Sequence, residues 1–417
     1  MPKRVAIIGG GPAGISLAKM LADKDAFQVT VFESENAPGG KSFSVVRGES
    51  IVEMGTCYLT RAHRIVTTWM NDADIHLARM NEQSFDGEDF LKYVRRGAGP
   101  PLPAQIISFL LGRWHLMRAV QQNPIPQWAL EQAAQPVSEW LRARNLHKIE
   151  RFMYRSLTNL GYGFVDETPT VQAMRWNDLD LILTGLFRQL KMPIEGWSAF
   201  WTRLSADLDV RLGHRASRIE RTSQSATIHF ENGEMFEADH VVCAMPIDDF
   251  VALTDSTPME AEAASAITWN AYTTTLIGMK EKYADSRVEA YSRAVVPGAP
   301  YGRLMSARYE GYEPDLGGHL YLTGQLAGSY SDAELEEMLR ADIADHGGAV
   351  DSFILQRTWK YFARYDSDAI RNGLLTTLKT MQGHRNTWYT GAAFSHEAVS
   401  NIVNFNAGLA AKIQATA

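Results

Sequence analysis

Three glycines near the start of the chain could do chemistry through their backbone alone. The stretch RVAIIGGGPAGISLAKM, residues 4–20, has the spacing G-x-G-x-x-G. Such glycines permit a tight turn, a close approach of backbone N–H groups to a pyrophosphate, and close packing of a helix on a strand. The pattern predicts a dinucleotide-binding turn formed by Gly9, Gly11, Pro12, Ala13 and Gly14.

An acidic residue follows at the distance that a dinucleotide requires. The stretch FQVTVFES, residues 27–34, predicts a second strand, and Glu33 lies 19 positions after Gly14. A carboxylate there, beside Ser34, accepts hydrogen bonds from ribose hydroxyls and repels a 2′-phosphate, which disfavours NADP. The alternative is a glycine-rich turn that binds nothing. The strand, turn, helix and acid in succession favour binding.

These residues must be positioned by a buried strand and a helix. VAII, residues 5–8, is a continuous apolar run that predicts a strand buried on both faces. Pro12 suits the first helical turn, because its missing N–H costs nothing there. The N-terminus of that helix then offers free N–H groups and a positive dipole end to phosphates.

A second glycine pair indicates FAD as the cofactor in preference to NAD. GGKSFS (39–44) and EMG (53–55) follow Glu33, and together with the first turn they resemble the flavin-containing amine oxidase and phytoene desaturase superfamily. The resemblance implies that Gly39 and Gly40 let the backbone pass an FAD diphosphate. Lys41 stands where arginine is more usual, and Met54, Gly55 and Thr56 would pass the flavin ring.

Three later segments agree with this resemblance. They are DVRLGHRASRIER (209–221), ADHVVCAMP (238–246) and TWYTGAAFSHEAVSNIVNFNAGLAAK (387–412), and they add Ala216, Met245, Gly391, Ser400, Asn401 and Ile402 to the implied cofactor residues. We predict Ser400 as an N-cap, with a helix from about Asn401 whose positive end faces the pyrimidine edge of the flavin. The expected cofactor is non-covalent FAD. No second G-x-G-x-x-G occurs, so we expect electrons to enter from the substrate.

The segments define a discontinuous plan of the α/β class. We predict a Rossmann-like FAD-binding domain of residues 1–75, 208–262 and 385–417. Residues 76–207 and 263–384 would form an α+β substrate lobe, partly helical and carrying a mixed sheet. YTTTLIGM (272–279) and GHLYLTGQL (318–326) predict strands of that sheet, and DAELEEMLRADIADH (332–346) predicts a helix. The apolar inserts suit a hydrophobic small-molecule substrate.

Three segments resemble one branch of the superfamily, the bacterial polyunsaturated fatty acid isomerases. They are NLGYGFVDETP (159–169), TWKYFARYD (358–366) and MQGHRNTWYTG (381–391). That branch moves a double bond by removing a hydride and returning it to another carbon. The branch positions its fatty acid with an arginine and a phenylalanine near the flavin. In this sequence the nearest candidates for these two residues are Arg79 and Phe187, although neither aligns without a shift. We add Tyr162 as an aromatic on the substrate face and His396 as a candidate base.

Several functions remain open. The favoured one is an FAD-dependent oxidoreductase or isomerase that takes a hydride from a C–H bond of a mainly apolar substrate. An amine oxidase that uses oxygen is an alternative, although Val399, Ser400 and Asn401 stand where its aromatic residue would be needed. A non-catalytic redox-sensing flavoprotein and an NAD(P)H-driven monooxygenase are the others.

Composition narrows the class of protein. A net charge of −7 argues against nucleic acid as a partner. Only Cys57 and Cys243 occur, without metal-ligand spacing, so we predict no metal site and no disulfide framework. The apolar stretch 106–117 contains Arg113 and His115 and is too short to span a bilayer, so we favour a helix of the substrate lobe over a membrane-contact patch. We expect a cytoplasmic protein with no membrane span and leave the oligomeric state open.

Overall fold

A computed structural model describes residues 2–22, 26–80, 82–284 and 286–416 of the chain. Its strands are β1 (Lys3–Ile8), β2 (Phe27–Phe32), β3 (Ser44–Arg47), β4 (Ser50–Glu53), β5 (Leu77–Arg79), β6 (Gln83–Phe85), β7 (Glu88–Asp89), β8 (Lys191–Pro193), β9 (Asp209–Arg211), β10 (Ala216–Arg221), β11 (Ala226–Phe230), β12 (Met235–Ala238), β13 (His240–Cys243), β14 (Ile267–Met279), β15 (Val288–Ala290), β16 (Ser306–Glu313), β17 (Gly318–Leu326), β18 (Ser352–Tyr365) and β19 (Thr387–Tyr389).

The helices follow the same chain order. They are α1 (Pro12–Ala22), α2 (Arg64–Asp72), α3 (Phe90–Arg95), α4 (Leu102–Ala119), α5 (Gln127–Ala134), α6 (Val137–Arg142), α7 (His147–Ser156), α8 (Thr170–Trp176), α9 (Leu179–Leu186), α10 (Trp197–Leu204), α11 (Ile247–Leu253), α12 (Pro258–Ser265), α13 (Asp332–Asp345), α14 (Ser367–Arg371), α15 (Leu374–Thr380) and α16 (Val399–Gln414). No helix in the described ranges is both long enough and apolar enough to cross a bilayer.

A parallel sheet with the order β19-β13-β1-β2-β9 forms the first layer. Val5 and Ile7 of β1 pack on one face of this sheet with α1 and α16, whereas Ala6 and Ile8 belong to the core on the other face. Burial on both faces explains why β1 is apolar without alternation, as predicted. The antiparallel meander β10-β11-β12 covers the second face, where Phe32 contacts Phe230 at 4.6 Å between ring centroids.

A mixed sheet with the order β18-β14-β17-β16-β15-β6-β7 forms the other large layer. Its strands pair antiparallel except β15 with β6, which are parallel. The predicted strands within 272–279 and 318–326 lie in β14 and β17, and the predicted helix at 332–346 is α13. The α/β class with a mixed second sheet is therefore confirmed, while the domain limits stay predictions.

Candidate active site

The two predicted glycine turns face each other. A Cβ on Gly40 would lie 3.1 Å from the Cα of Gly11, and Gly40 has a φ of +51°. The backbone N–H of Gly39 donates to the carbonyl of Gly10 at 2.9 Å. Between the turns the walls are therefore backbone, which is the surface that a diphosphate needs.

Glu33 lies at the end of β2, beside the first turn. Its carboxylate accepts hydrogen bonds from the backbone N–H of Gly10 at 2.7 Å and from the Ser34 hydroxyl at 3.1 Å. The remaining glycines of the turn serve packing, since a Cβ on Gly14 would lie 1.9 Å from the carbonyl oxygen of Gly9. The buried carboxylate is placed where a ribose could bind.

The second glycine turn also contacts the EMG segment. The backbone N–H of Thr56 donates to the carbonyl of Lys41 at 3.1 Å, and a Cβ on Gly55 would lie 1.9 Å from that same oxygen. Met54 is fully buried, and its carbonyl accepts a hydrogen bond from the Thr274 hydroxyl at 2.8 Å. Two segments that are separate in sequence thus form one wall.

The start of α16 differs from the prediction. The helix begins at Val399 with Ala398 at the N-cap, so Ser400 is not the cap and the helix starts two residues before Asn401. The physical reason lies in the backbone: the carbonyl of Ala398 accepts hydrogen bonds from the N–H groups of Asn401 and Ile402 at 3.0 and 3.1 Å, so Ser400 lies inside the first turn. No side chain of the described residues caps the helix, and Nδ1 of His396 accepts from the N–H of Ala398 at 3.2 Å.

Inside the first turn of α16, the Ser400 hydroxyl is buried and has no hydrogen-bond partner among the described residues. The side chain of Asn401 donates to the carbonyl of Arg175 at 2.9 Å, and Ile402 is buried. Of these three residues, Ser400 is therefore the one with a buried polar side-chain atom that the described residues leave unpartnered.

α16 lies directly against α1. The Asn406 amide donates to the carbonyl of Ala13 at 2.7 Å and to the Ser16 hydroxyl at 2.8 Å. Gly391 has a φ of +95°, and a Cβ there would lie 3.7 Å from the Cβ of Ala13. Of the other predicted cofactor residues, Ala216 begins β10 and Met245 follows β13, both half-buried.

A dinucleotide cofactor fits this cleft. In the described part of the chain, two buried hydroxyls lack any partner at the cleft segments, those of Ser42 and Ser400. Buried polar atoms without partners are rare in folded proteins unless a ligand or water satisfies them. The backbone-walled turns, the carboxylate of Glu33 and these hydroxyls form a donor and acceptor set that suits a diphosphate and a ribose.

A cavity lies next to the EMG segment and the start of α16. Its volume is about 130 Å³. The EMG segment and the start of α16 contribute Gly55, Thr56, Ala398 and Val399 to its wall. Polar side chains on the wall are those of Tyr58, Gln83, Arg155, Asn159, Ser306 and Arg308, and the apolar ones include Phe90, Phe152, Leu160, Leu181 and Leu190. The cavity wall therefore combines apolar side chains with a set of polar ones.

An aromatic cluster surrounds Tyr162, which lies on the cavity wall. Its ring stacks on Tyr361 at 5.7 Å and on Phe362 at 5.4 Å, and its edge meets Trp176 and His396. Tyr162, Trp176 and Tyr361 line the cavity, whereas His396 packs behind them. The structure thus brings two sequence-predicted residues into one cluster, with Tyr162 alone of the pair on the cavity wall.

Three titratable side chains of this region are uncharged at neutral pH. Burial lowers the pKa of His396 to about 3 and raises the pKa of the Cys57 thiol to about 11. Burial also raises the pKa of Tyr162 above its usual range. At neutral pH the imidazole, the thiol and the phenol are all uncharged, so none of them is poised as a strong base.

One ion pair borders the cavity through Glu397, which lines its wall. The ammonium of Lys41 lies 2.8 Å from a carboxylate oxygen of Glu397, and the other oxygen accepts the N–H of Phe362 at 2.8 Å. The same ammonium lies over the rings of Trp269 and Tyr361, about 5 Å from each centroid. The lysine is therefore fixed by a carboxylate and two aromatic faces.

Two buried guanidinium groups, those of Arg308 and Arg155, line the cavity. Arg308 is neutralised, because it pairs with Glu310 and donates to the backbone carbonyl of Glu53. Arg155 donates to the Gln83 side chain at 2.7 Å and hydrogen-bonds with Tyr58. With the Asn159 amide oriented to satisfy its neighbours, its oxygen accepts from Arg155 at 3.0 Å. All of these partners of Arg155 are neutral.

Comparison with known proteins decides the family. The sequence profile described as "Flavin containing amine oxidoreductase" matches residues 12–397, which include Pro12, Ala13 and Gly14 of the first glycine turn, the whole second glycine turn and most of the cavity wall. The chain belongs to this family. A flavin is therefore the cofactor that the cleft is built to hold.

Individual relatives of this flavin-containing oxidoreductase are distant. Polyamine oxidase 2 of Arabidopsis thaliana is 25% identical over 268 residues, which cover 58% of this chain and 51% of that protein. An L-amino-acid oxidase of Crotalus adamanteus is 33% identical over 95 residues, covering 23% and 18%. The chain spans about half the length, or less, of the curated relatives it matches.

Solved structures share the fold over the whole chain. A fatty acid isomerase from P. acnes, described as producing CLA, has a TM-score of 0.85 and 22% identity and covers 98% of both chains. A variant of putrescine oxidase has a TM-score of 0.74 and 13% identity and covers 100% of this chain and 99% of its own. At such identities the likeness establishes the fold of the oxidoreductase and not its reaction.

Two candidate residues lie away from the cavity of the flavin-containing oxidoreductase. Arg79 is exposed on β5, and Phe187 is exposed directly after α9. Neither side chain lines the cavity. The charged residues that do line it, Arg155, Arg308 and Glu397, had no sequence signal, because they come from α7, β16 and the segment before α16 and meet only in the folded chain.

Proposed function

We propose that this chain binds FAD without a covalent bond, along the cleft between the glycine turns. The first turn and Gly40 would hold the diphosphate, Glu33 the ribose hydroxyls, and residues 54–56 with the start of α16 the ring. The orphaned hydroxyls of Ser42 and Ser400 support this assignment, because each would gain a partner. The free N–H groups at the N-terminus of α16 would favour negative charge on the ring.

When bound, FAD supplies a hydride acceptor to a substrate C–H bond. We propose that the cavity residues of this chain select and orient that bond. The apolar wall excludes water and binds the bulk of a mainly apolar substrate, while Tyr162 and Tyr361 fix the face presented at the flavin end. Arg155, whose partners are neutral, would bind a polar end of the substrate.

The observation that carries this proposal is a single cavity lined both by the flavin-side segments and by apolar and aromatic side chains. The neutral state of His396, Cys57 and Tyr162 gives further support, because removal of a hydride requires no protein base. Two fates of the hydride are consistent with this site. It returns to another carbon in a double-bond isomerisation, or it passes to an acceptor in a desaturation or oxidation, in which the substrate also releases a proton to water.

Product analysis with and without oxygen tests the proposal. The purified protein is incubated with unsaturated fatty acids, apolar alkenes and amines, and products are identified by mass spectrometry and NMR. Isomerisation predicts a product of unchanged mass that forms equally well without oxygen. Desaturation or oxidation predicts a loss of two hydrogens together with consumption of an acceptor. Turnover of amines alone, or no product from any compound, would contradict the proposal.

A further inference from the structure

The long helix α4 presents an apolar face to solvent. Ile107, Leu111 and Trp114 are 60%, 64% and 58% exposed. Their spacing of four and three residues places them on one side of the helix, over about 10 Å of its length. Single exposed apolar side chains are common, but a row of three large ones on one helix face indicates a surface that is covered in use.

The residues of α4 that flank this face include no carboxylate, and Asp180, next to the exposed Leu179 on α9, is paired with Arg64 at 2.8 Å. The sequence of α4, LPAQIISFLLGRWHLMRA, contains no Asp or Glu. The exposed Arg118 lies over the Trp114 ring at 5.4 Å, and the exposed His115 stacks on Trp128 at 4.8 Å. Apolar side chains flanked by tryptophan and basic residues are typical of helices that lie in the interface of an anionic bilayer.

The apolar face of α4 is adjacent to α9. Ile106 of α4 and Leu186 of α9 line the same small internal cavity, so the two helices are neighbours. α9 and the residue after it also expose an apolar row, with Leu179 and Phe187 at its ends. We call the exposed residues Ile107, Leu111, Trp114, Leu179 and Phe187 the α4–α9 patch.

The main cavity adjoins a smaller cleft next to this patch. Thr184 and Gly185 of α9 line both, and the smaller cleft is also lined by the half-buried Asp89 and the exposed Arg188. Arg188 directly follows Phe187 in the chain. An apolar molecule that leaves a surface covering the patch would therefore reach the cavity without crossing a wide aqueous gap.

We propose that the α4–α9 patch docks this protein peripherally on an anionic lipid bilayer. The apolar row would insert at the level of the headgroups, while Arg118 and His115 would lie among the anionic phosphates. Charge complementarity and continuity with an apolar cavity favour a bilayer over a second copy of this chain. The docking stands on the surface alone, and only delivery of an apolar substrate from the bilayer rests on the proposed function.

Vesicle sedimentation tests the docking. The flavin-loaded protein is mixed with vesicles of phosphatidylcholine containing one third phosphatidylglycerol (roughly the anionic fraction at which basic patches bind). Wild type should sediment with them, less so at high salt. The triple variant I107S/L111S/W114S should bind at least about tenfold more weakly. The control V46S/M235S/Y312S, whose residues are equally exposed (57–68%) on β3, β12 and β16, should bind like wild type.

Three outcomes would overturn the docking proposal. Wild type does not bind the vesicles, or the α4 triple variant binds them as tightly as wild type, or both triple variants lose binding equally. A wild-type dimer that becomes a monomer in the α4 triple variant, with no vesicle binding, would instead assign the patch to self-association. Flavin content and melting temperature should match wild type in both variants, because the substituted side chains are exposed.

The experiment separates docking from catalysis. Vesicle binding is measured without turnover, so its failure leaves the proposed reaction untouched. In contrast, if no substrate is turned over while vesicle binding is lost only in the α4 variant, the docking surface holds and the proposed function fails. With a substrate dispersed as single molecules, the α4 variant should retain the rate of wild type, since Ile107, Leu111 and Trp114 do not line the cavity.

Discussion

Replacing Glu53 by glutamine should remove a specific dependence of stability on pH. Glu53 ends β4, just before the segment that we assign to the flavin ring, and its side chain is 1% exposed. Its carboxyl accepts from the Ser44 hydroxyl at 2.8 and 3.0 Å and from the Trp197 N–H at 2.8 Å. Burial outweighs these hydrogen bonds and raises its pKa from 4.5 to about 7.

The sign and size of the effect follow from this shift. A carboxyl whose pKa is raised in the folded protein binds its proton more tightly there, so it stabilises the fold fully below pH 4.5. That stability is lost as pH rises towards and through 7. The gap between 4.5 and about 7 corresponds to about 3 kcal/mol. With an unfolding entropy of about 2 cal/mol/K per residue, this is about 3–4 °C in melting temperature for 417 residues.

Thermal melts of wild type and Glu53→Gln from pH 5 to pH 8 provide the assay. Glutamine keeps an acceptor for the Trp197 N–H but does not titrate, so the melting temperature of wild type should fall by about 3–4 °C relative to the variant. Glu337→Gln, an exposed glutamate on α13, should show no such trend. A constant difference between wild type and Glu53→Gln across this range would refute the assignment of a desolvated carboxyl.

Three further outcomes are expected. Arg221→Met should lower the free energy of unfolding by about 3–5 kcal/mol in urea melts, because it leaves the buried carboxylate of Glu260, 2.5 Å from Arg221, without its cation. Arg155→Met should reduce the preference for octanoate over octanamide by about 10- to 100-fold in calorimetric titrations, since the hydrogen-bond partners of this guanidinium among the described residues are neutral; an unchanged preference would exclude it as the polar anchor. Gly40→Ala should weaken FAD binding at least about tenfold, whereas Gly213→Ala, also at positive φ but with no atom within 4 Å of its new Cβ, should not; equal losses would point to backbone strain alone.

The parts of the fold that sequence predicts well are set by the local backbone. The glycine turns, Pro12 at the start of α1 and Glu33 at the end of β2 lie where their spacing places them, because each position depends on a turn, a helix start or a strand that a few neighbouring residues determine. The strand of residues 318–326 was also predictable, since its apolar run is buried in the middle of a sheet.

Long-range contacts were not predictable from the sequence. The N-cap of α16 is Ala398, without a side-chain cap among the described residues, and no spacing rule favours this start over the nearby Ser400, which has the better intrinsic preference for an N-cap. Arg155 occupies an ordinary position on an amphipathic helix, and its burial depends on how α7 packs beside β6 and β16. Phe187, apolar and expected at the flavin, is exposed and does not line the cavity.

The central claim is that a flavin in this cleft takes a hydride from a substrate held in the adjoining cavity. The most direct test is the visible absorption spectrum of the FAD-loaded protein under anaerobic conditions as candidate substrates are added. The account predicts that the purified protein carries or regains one FAD. It also predicts that at least one apolar substrate either bleaches the flavin band or leaves the cuvette as a rearranged or oxidised product. A protein that cannot be reconstituted with FAD, or whose flavin neither bleaches nor yields a product with any apolar, lipid or amine compound, would contradict it.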